Sequence, residues 1–99
     1  MIIISQNSFP PESAKDIGKA FLKLGQMPDY MSTKGPFIYS ALDKGICSIT
    51  LYECDKSRIP EAFNYATQRQ LAYTEVKGFK FSVNVWLEAP EALKMLGLG

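Results

Sequence analysis

Phe79-Lys80-Phe81-Ser82-Val83-Asn84-Val85-Trp86-Leu87 places an apolar side chain at every odd position for nine residues. Period two is the signature of a strand with two unlike faces. The odd face belongs against a hydrophobic layer. The even face, Lys80, Ser82, Asn84 and Trp86, needs surroundings that are polar and still accept a large indole. Whatever covers that even face decides what the chain does.

Working back from this strand, Lys77-Gly78 ends a helix predicted from Ser57 to Thr74, with Pro60 in its first turn, where a missing N–H costs little. Ile59, Ala62, Phe63, Ala66 and Tyr73 lie close to one stripe, which Gln70 interrupts, so the buried face is narrow. Ahead of that helix, Phe37–Leu42 and Ile46–Cys54 flank Asp43-Lys44-Gly45 and predict a hairpin. A two-residue Lys44-Gly45 loop would force Lys44 to positive φ; a type I turn with Gly45 in the left-handed region suits these residues better. That version pairs Leu42 with Ile46 and sets Phe37, Tyr39 and Ala41 on the face of Cys47, Ile49 and Leu51. Ile38, Ser40 and Leu42 then join Ser48, Thr50 and Tyr52. The shorter loop would swap the faces of the second strand alone, since a one-residue slip inverts every side chain.

At the start of the chain, Met1–Ser5 is rich in β-branched isoleucine and predicts a short strand stopped by Gln6-Asn7-Ser8. Ser8-Phe9-Pro10-Pro11-Glu12 has the make-up of a helix start, and Ala14, Ile17, Phe21 and Leu24 recur at helical spacing until Gly25. Gln26–Pro36 predicts an irregular connection whose Met27, Tyr30 and Met31 plug the edge of the core. After the fourth strand, Ala89–Gly97 predicts a short helix opened by Pro90 and closed by Gly97.

A chain of 99 residues predicts one domain over residues 1–99 with a thin core that oligomerisation would help. Net charge is +1, from 11 basic and 10 acidic residues with neither sign gathered in a block, which disfavours nucleic acid or an anionic membrane as main partner. No apolar run approaches the ~18 residues of a membrane span. Met1-Ile2-Ile3-Ile4 is too short for a signal peptide's hydrophobic region, so the expected location is cytoplasmic. Cys47 and Cys54 would stand roughly 23 Å apart on an extended strand, against about 4.4–6.8 Å for a disulfide, which fits a reducing compartment. The chain has no histidine, no Gly-rich phosphate loop and no paired-cysteine spacing, so no cofactor and no metal are expected, and a Ser-His-Asp triad is impossible.

The order β-α-β-β-α-β plus a terminal helix predicts an α+β fold: the ferredoxin-like split βαβ, a four-stranded antiparallel sheet with both long helices on one face. The other face is bare in a monomer, and the expected facing gathers Ser48, Thr50, Tyr52, Ser82, Asn84 and Trp86 on it. Lys77–Asn84 resembles the octapeptide of the RNA-recognition motif at its first, second, third and fifth positions. In that module the third and fifth positions meet RNA while the fourth, sixth and eighth fill the core. Here that would bury Lys80, Ser82 and Asn84 at a cost of several kcal/mol. Single-stranded RNA binding on the open sheet is therefore the third and weakest reading.

Element order and facing over essentially the whole chain resemble the dimeric α/β-barrel superfamily, in which two ferredoxin-like protomers press their sheets together into a barrel. Glu88–Leu96, following the fourth strand, is similar to the ends of short families of undefined function in that group. Its members include cofactor-free monooxygenases, lactone isomerases and stress-response proteins. The resemblance implies a homodimer through the open sheet and a cavity between the sheets that takes a small organic ligand. Trp86 and Tyr52 would flank that ligand, Asn84, Thr50, Ser82 and Ser48 would hydrogen-bond it, and Lys80 or Lys34 would supply a cation. The group's monooxygenases use polar and aromatic residues of this kind to stabilise a substrate carbanion for reaction with oxygen. The rival is a non-catalytic, partner-binding homodimer whose barrel is filled by its own side chains; no catalytic residue is assigned.

Overall fold

Ile2-Ile3-Ile4 is apolar on both sides of its backbone, and the strand it opens lies in the interior of the sheet. In the computed structural model, which describes all 99 residues, β1 (Ile2–Phe9) is bonded to β3 (Gly45–Cys54) on one side and β4 (Lys80–Trp86) on the other. β2 (Met31–Ala41) lies beyond β3, and every pairing is antiparallel. Three helices, α1 (Ala14–Leu22), α2 (Ile59–Leu71) and α3 (Ala89–Met95), complete an α+β fold with an open four-stranded sheet in the order β2-β3-β1-β4. The arrangement is compatible with the split βαβ that the element order predicts. Short 3₁₀ turns at Pro11–Ser13 and Lys56–Arg58 lead into α1 and α2.

Gln6-Asn7-Ser8, expected to stop the first strand, are paired within it. Asn7 stands opposite Ser48 on one side and Phe81 on the other. Ladder partners on both edges outweigh the weak strand preference of these residues.

The core lies between α2 and one face of the sheet, where Ile59, Ala62 and Ala66 meet Ile3, Met31 and Tyr52, with Val83 against them. Two alanines let the helix approach closely. The odd residues of β4 are on this covered side: Val85 aligns with Ile3 and Val83 with Ser5, leaving Ser82, Asn84 and Trp86 on the open side.

The facing of β3 is the reverse of the expectation. Tyr52 aligns with the core residue Ile3, Thr50 with Ser5 and Ser48 with Asn7, so all three lie on the covered face. Ile49 and Leu51, expected in the core, share the open face with Ile4 and Gln6. Reading polar as open and apolar as covered fails because the helix layer does not seal the sheet evenly. α2 buries Tyr52, but the part of the sheet beneath α1 carries a polar-floored cleft, and the open side is strongly apolar.

The hairpin turn has the expected chemistry in a different register. The Lys44 N–H donates to the Ala41 carbonyl, Gly45 follows at φ +83°, and Ser40 rather than Leu42 stands opposite Ile46. The difference is even, so Phe37 and Tyr39 keep the expected company of Ile49 and Cys47 on the open face. β2 also begins earlier than predicted, at Met31, because a bulge at Gly35-Pro36 carries pairing through the expected loop. Two residues oppose one there, which inverts the alternation and keeps Met31, Thr33 and Ile38 together on the covered side. Gly35 has φ +100°, and a β-carbon would come within 2.8 Å of the Ile49 carbonyl oxygen, so the bulge requires glycine.

Candidate functional site

Ala14, Ile17, Phe21 and Leu24, predicted to pack α1 into the core, all line one cleft of about 470 Å³ between that helix and the sheet. α1 has no buried residue, and Phe21 remains 43% exposed. The volume falls within the ~300–1,000 Å³ usual for small-molecule sites. The remaining wall comes from Phe9, Met27, Pro36 and Ile38, and the floor is polar.

That floor is a directed chain. The Ser48 hydroxyl donates to Asn7 Oδ1 at 2.7 Å, and Asn7 Nδ2 donates to Gln70 Oε1 at 3.0 Å. Ser48 and Gln70 are both buried. No protein acceptor takes the Gln70 amide N–H groups, yet no buried polar side-chain atom lacks a partner, so these donors open onto the cleft. Tyr52, Tyr73 and Thr50 add hydroxyls to the same lining. Burial pushes the Tyr73 phenol above its ordinary range; the Arg69 guanidinium acts against that shift and the Tyr52 phenol adds to it.

Arg69 is the one charged residue of the lining. One of its terminal nitrogens, Nη1, donates to the Gly25 carbonyl at 3.1 Å and to the Tyr65 hydroxyl at 3.2 Å, tying α2 to the chain just past α1. It forms no ion pair, and its other N–H groups have no protein acceptor.

The six residues expected to share a site therefore divide. Tyr52, Thr50 and Ser48 line the cleft under α1; Trp86, Asn84 and Ser82 lie on the opposite side of the sheet. Lys80 and Lys34 are with the second group, and Lys34 pairs with Glu53 at 3.6 Å. Asn7, Gln70, Arg69 and Tyr73 were not singled out as site residues. Gln70 carried a usable signal, since an amide interrupting an otherwise apolar helix stripe needs a polar partner inside. Asn7 carried none, because its composition reads as a turn.

The open face carries Phe37, Tyr39, Ile49, Leu51, Ile4 and Trp86, with Phe37, Tyr39 and Trp86 about half exposed. Cys47 is buried there beside Tyr39. Phe79 and Phe81, the aromatics of the octapeptide-like stretch, stack at 5.8 Å, and Phe79 meets Tyr73 at 5.2 Å, so they serve the α2 side. Cys54 is partly buried and its thiol donates to the Asp55 carbonyl; burial first, and then the Asp55 carboxylate, hold that thiol above its ordinary range, the opposite of an activated nucleophile. Both cysteines are free. No helix is long and apolar enough to cross a membrane. No protein-family model matches the sequence, and no curated protein matches it either.

Proposed function

We propose that the chain is a small-molecule-binding protein that works as a homodimer in the manner of the dimeric α/β barrels, with the ligand held in the cleft between α1 and the sheet. The observation that carries this reading is the cleft itself. A helix with an apolar stripe stands off a sheet whose facing residues are Ser48, Thr50, Asn7 and Tyr52. Polar groups in such a layer cost stability unless they are satisfied; Ser48 and Asn7 are satisfied by donating along the chain to Gln70, whose own amide N–H groups have no protein acceptor. Binding is favoured over proton-transfer catalysis because the only titratable groups of the lining are Tyr52, Tyr73 and Arg69, and the raised Tyr73 phenol is a poor base at neutral pH.

A second copy on the open sheet is supported by area. The isolated chain exposes 6802 Å². A self-sufficient monomer of 11.1 kDa would expose roughly 5,700 Å², an excess of roughly 1,100 Å². Two copies hiding that excess from each other would bury roughly 2,200 Å² in total, the size of an obligate homodimer interface.

The test is a titration of isotopically labelled protein with mixtures of small aromatic and aliphatic compounds, followed by nuclear magnetic resonance. Binding should move the side-chain amide signals of Asn7 and Gln70 and leave the Trp86 indole unchanged. Shifts confined to Trp86 and Asn84 would return the site to the space between the sheets. Silence at both places would reject the reading.

A further inference from the structure

We infer that the ligand of this cleft is an apolar monocarboxylate, its carboxylate taken by Arg69 and the Gln70 amide and its hydrocarbon portion lying along Ile17, Phe21 and Ile38. The inference rests on the small-molecule reading and adds the charge and shape of the ligand.

Charge is decided by what the lining omits. No aspartate or glutamate is among its residues, and Arg69 is its only ion. An arginine beside a cleft normally finds a carboxylate, since its planar fork of donors matches one in two parallel hydrogen bonds. Here a single terminal nitrogen is engaged, by a carbonyl and a phenol that leave the positive charge unneutralised. The neighbouring groups reinforce that sign. Asn7 donates into Gln70 Oε1, so Gln70 is oriented with its N–H groups toward the cleft, and the Ser48 hydroxyl already spends its proton on Asn7. The remaining Arg69 N–H groups and the Gln70 amide therefore present an excess of unspent donors side by side. A neutral ligand would leave that excess unanswered; a carboxylate, with two oxygens and about four lone-pair sites, answers it.

One negative group is enough, because there is one cation and the rest of the wall is hydrocarbon. The apolar stripe of α1 shares the lining with Ile38 and Pro36, and none of these residues offers a second charge. A dicarboxylate, a phosphate ester or a sugar acid would bring polar surface against that wall with nothing to pair it.

The experiment compares octanoate with octanamide, which share a chain and differ in charge, by calorimetry on the native protein and on Arg69→Met. A parallel Arg69→Lys variant and thermal midpoints check that the fold survives. Octanoate should bind more tightly than octanamide, and Arg69→Met should weaken octanoate by about 10- to 100-fold while leaving octanamide unchanged. Arg69→Lys should recover part of the loss. If both compounds move the Gln70 amide signals with equal affinity and Arg69→Met changes neither, the carboxylate assignment fails while the small-molecule reading stands. If neither compound moves any cleft signal, the assignment fails outright. Binding of other compounds in the mixture titration then decides whether the small-molecule reading fails too.

Discussion

Gln70 sits on the stripe of α2 that faces the sheet, 5% exposed, where an apolar side chain would serve packing better. Its presence is explained by Asn7, and that of Asn7 by Ser48: each amide is positioned by the next group in the chain. The three form one unit, so their contributions should not add. Asn7→Ala and Gln70→Ala should each destabilise by about 1–2 kcal/mol, and the double variant by less than their sum, by at least ~0.5 kcal/mol. Urea unfolding measures all three, and an additive cycle would break the chain apart. Tyr73 answers to pH. Its folded-state value is raised, chiefly by burial, so the folded protein holds that proton to higher pH than the unfolded chain does. Its stabilising effect is fully present below about pH 10, the ordinary tyrosine value, and is lost as pH rises through the higher folded-state value. Phenolate absorbance should show a titration step above the ordinary tyrosine value, and Tyr73→Phe should abolish it.

At the scale of elements, the important fact is that α1 and α2 are unequal partners of the sheet. α2 presents Ala62 and Ala66, small enough for the helix to reach Ile3 and Tyr52, and it closes its half of the layer. α1 presents Ile17, Phe21 and Leu24 yet buries none of its residues, and Gly18 sits on the same lining with nothing within 4 Å of where a β-carbon would be. A side chain at Gly18 therefore has room, and it would occupy the volume of the cleft. Gly18→Leu should stabilise the protein by about 0.5–1 kcal/mol through helix propensity, while removing ligand binding. Loss of both stability and binding would mean that α1 packs closer than the cleft allows.

The whole molecule is a slab of 48 × 32 × 18 Å with a radius of gyration of 15.0 Å, against about 13 Å for a compact chain of this length. Only 13 of 99 residues are buried, which is thin even for a small domain. The slab carries Ile4, Ile49 and Leu51 on a sheet face that no helix of the chain covers, and the proposed dimer would hide them. Light scattering should give twice the 11.1 kDa chain mass, and Leu51→Lys should shift it to the monomer by placing a charge on the apolar open face, beside Ile4. Trp86 reports the same event, since its emission should move to longer wavelength on dilution as the indole becomes wet. A monodisperse monomer with unchanged emission would refute the dimer.

Much of this was legible in the chain. Alternation in Phe79–Leu87 orients β4, Gly45 specifies the turn, and helical spacing places α1 and α2, because each depends on neighbours within a few residues. The α+β class follows from their order. What only the tertiary structure decided is which side of β3 is covered, and with it the division of the expected site. Tyr52 faces the core because its ladder partner is Ile3 and α2 lies over both, a pairing across the chain that no local pattern encodes. Polarity misleads at that strand because its polar residues Ser48 and Thr50 floor the cleft under the helices, while its apolar residues Ile49 and Leu51 lie on the open side.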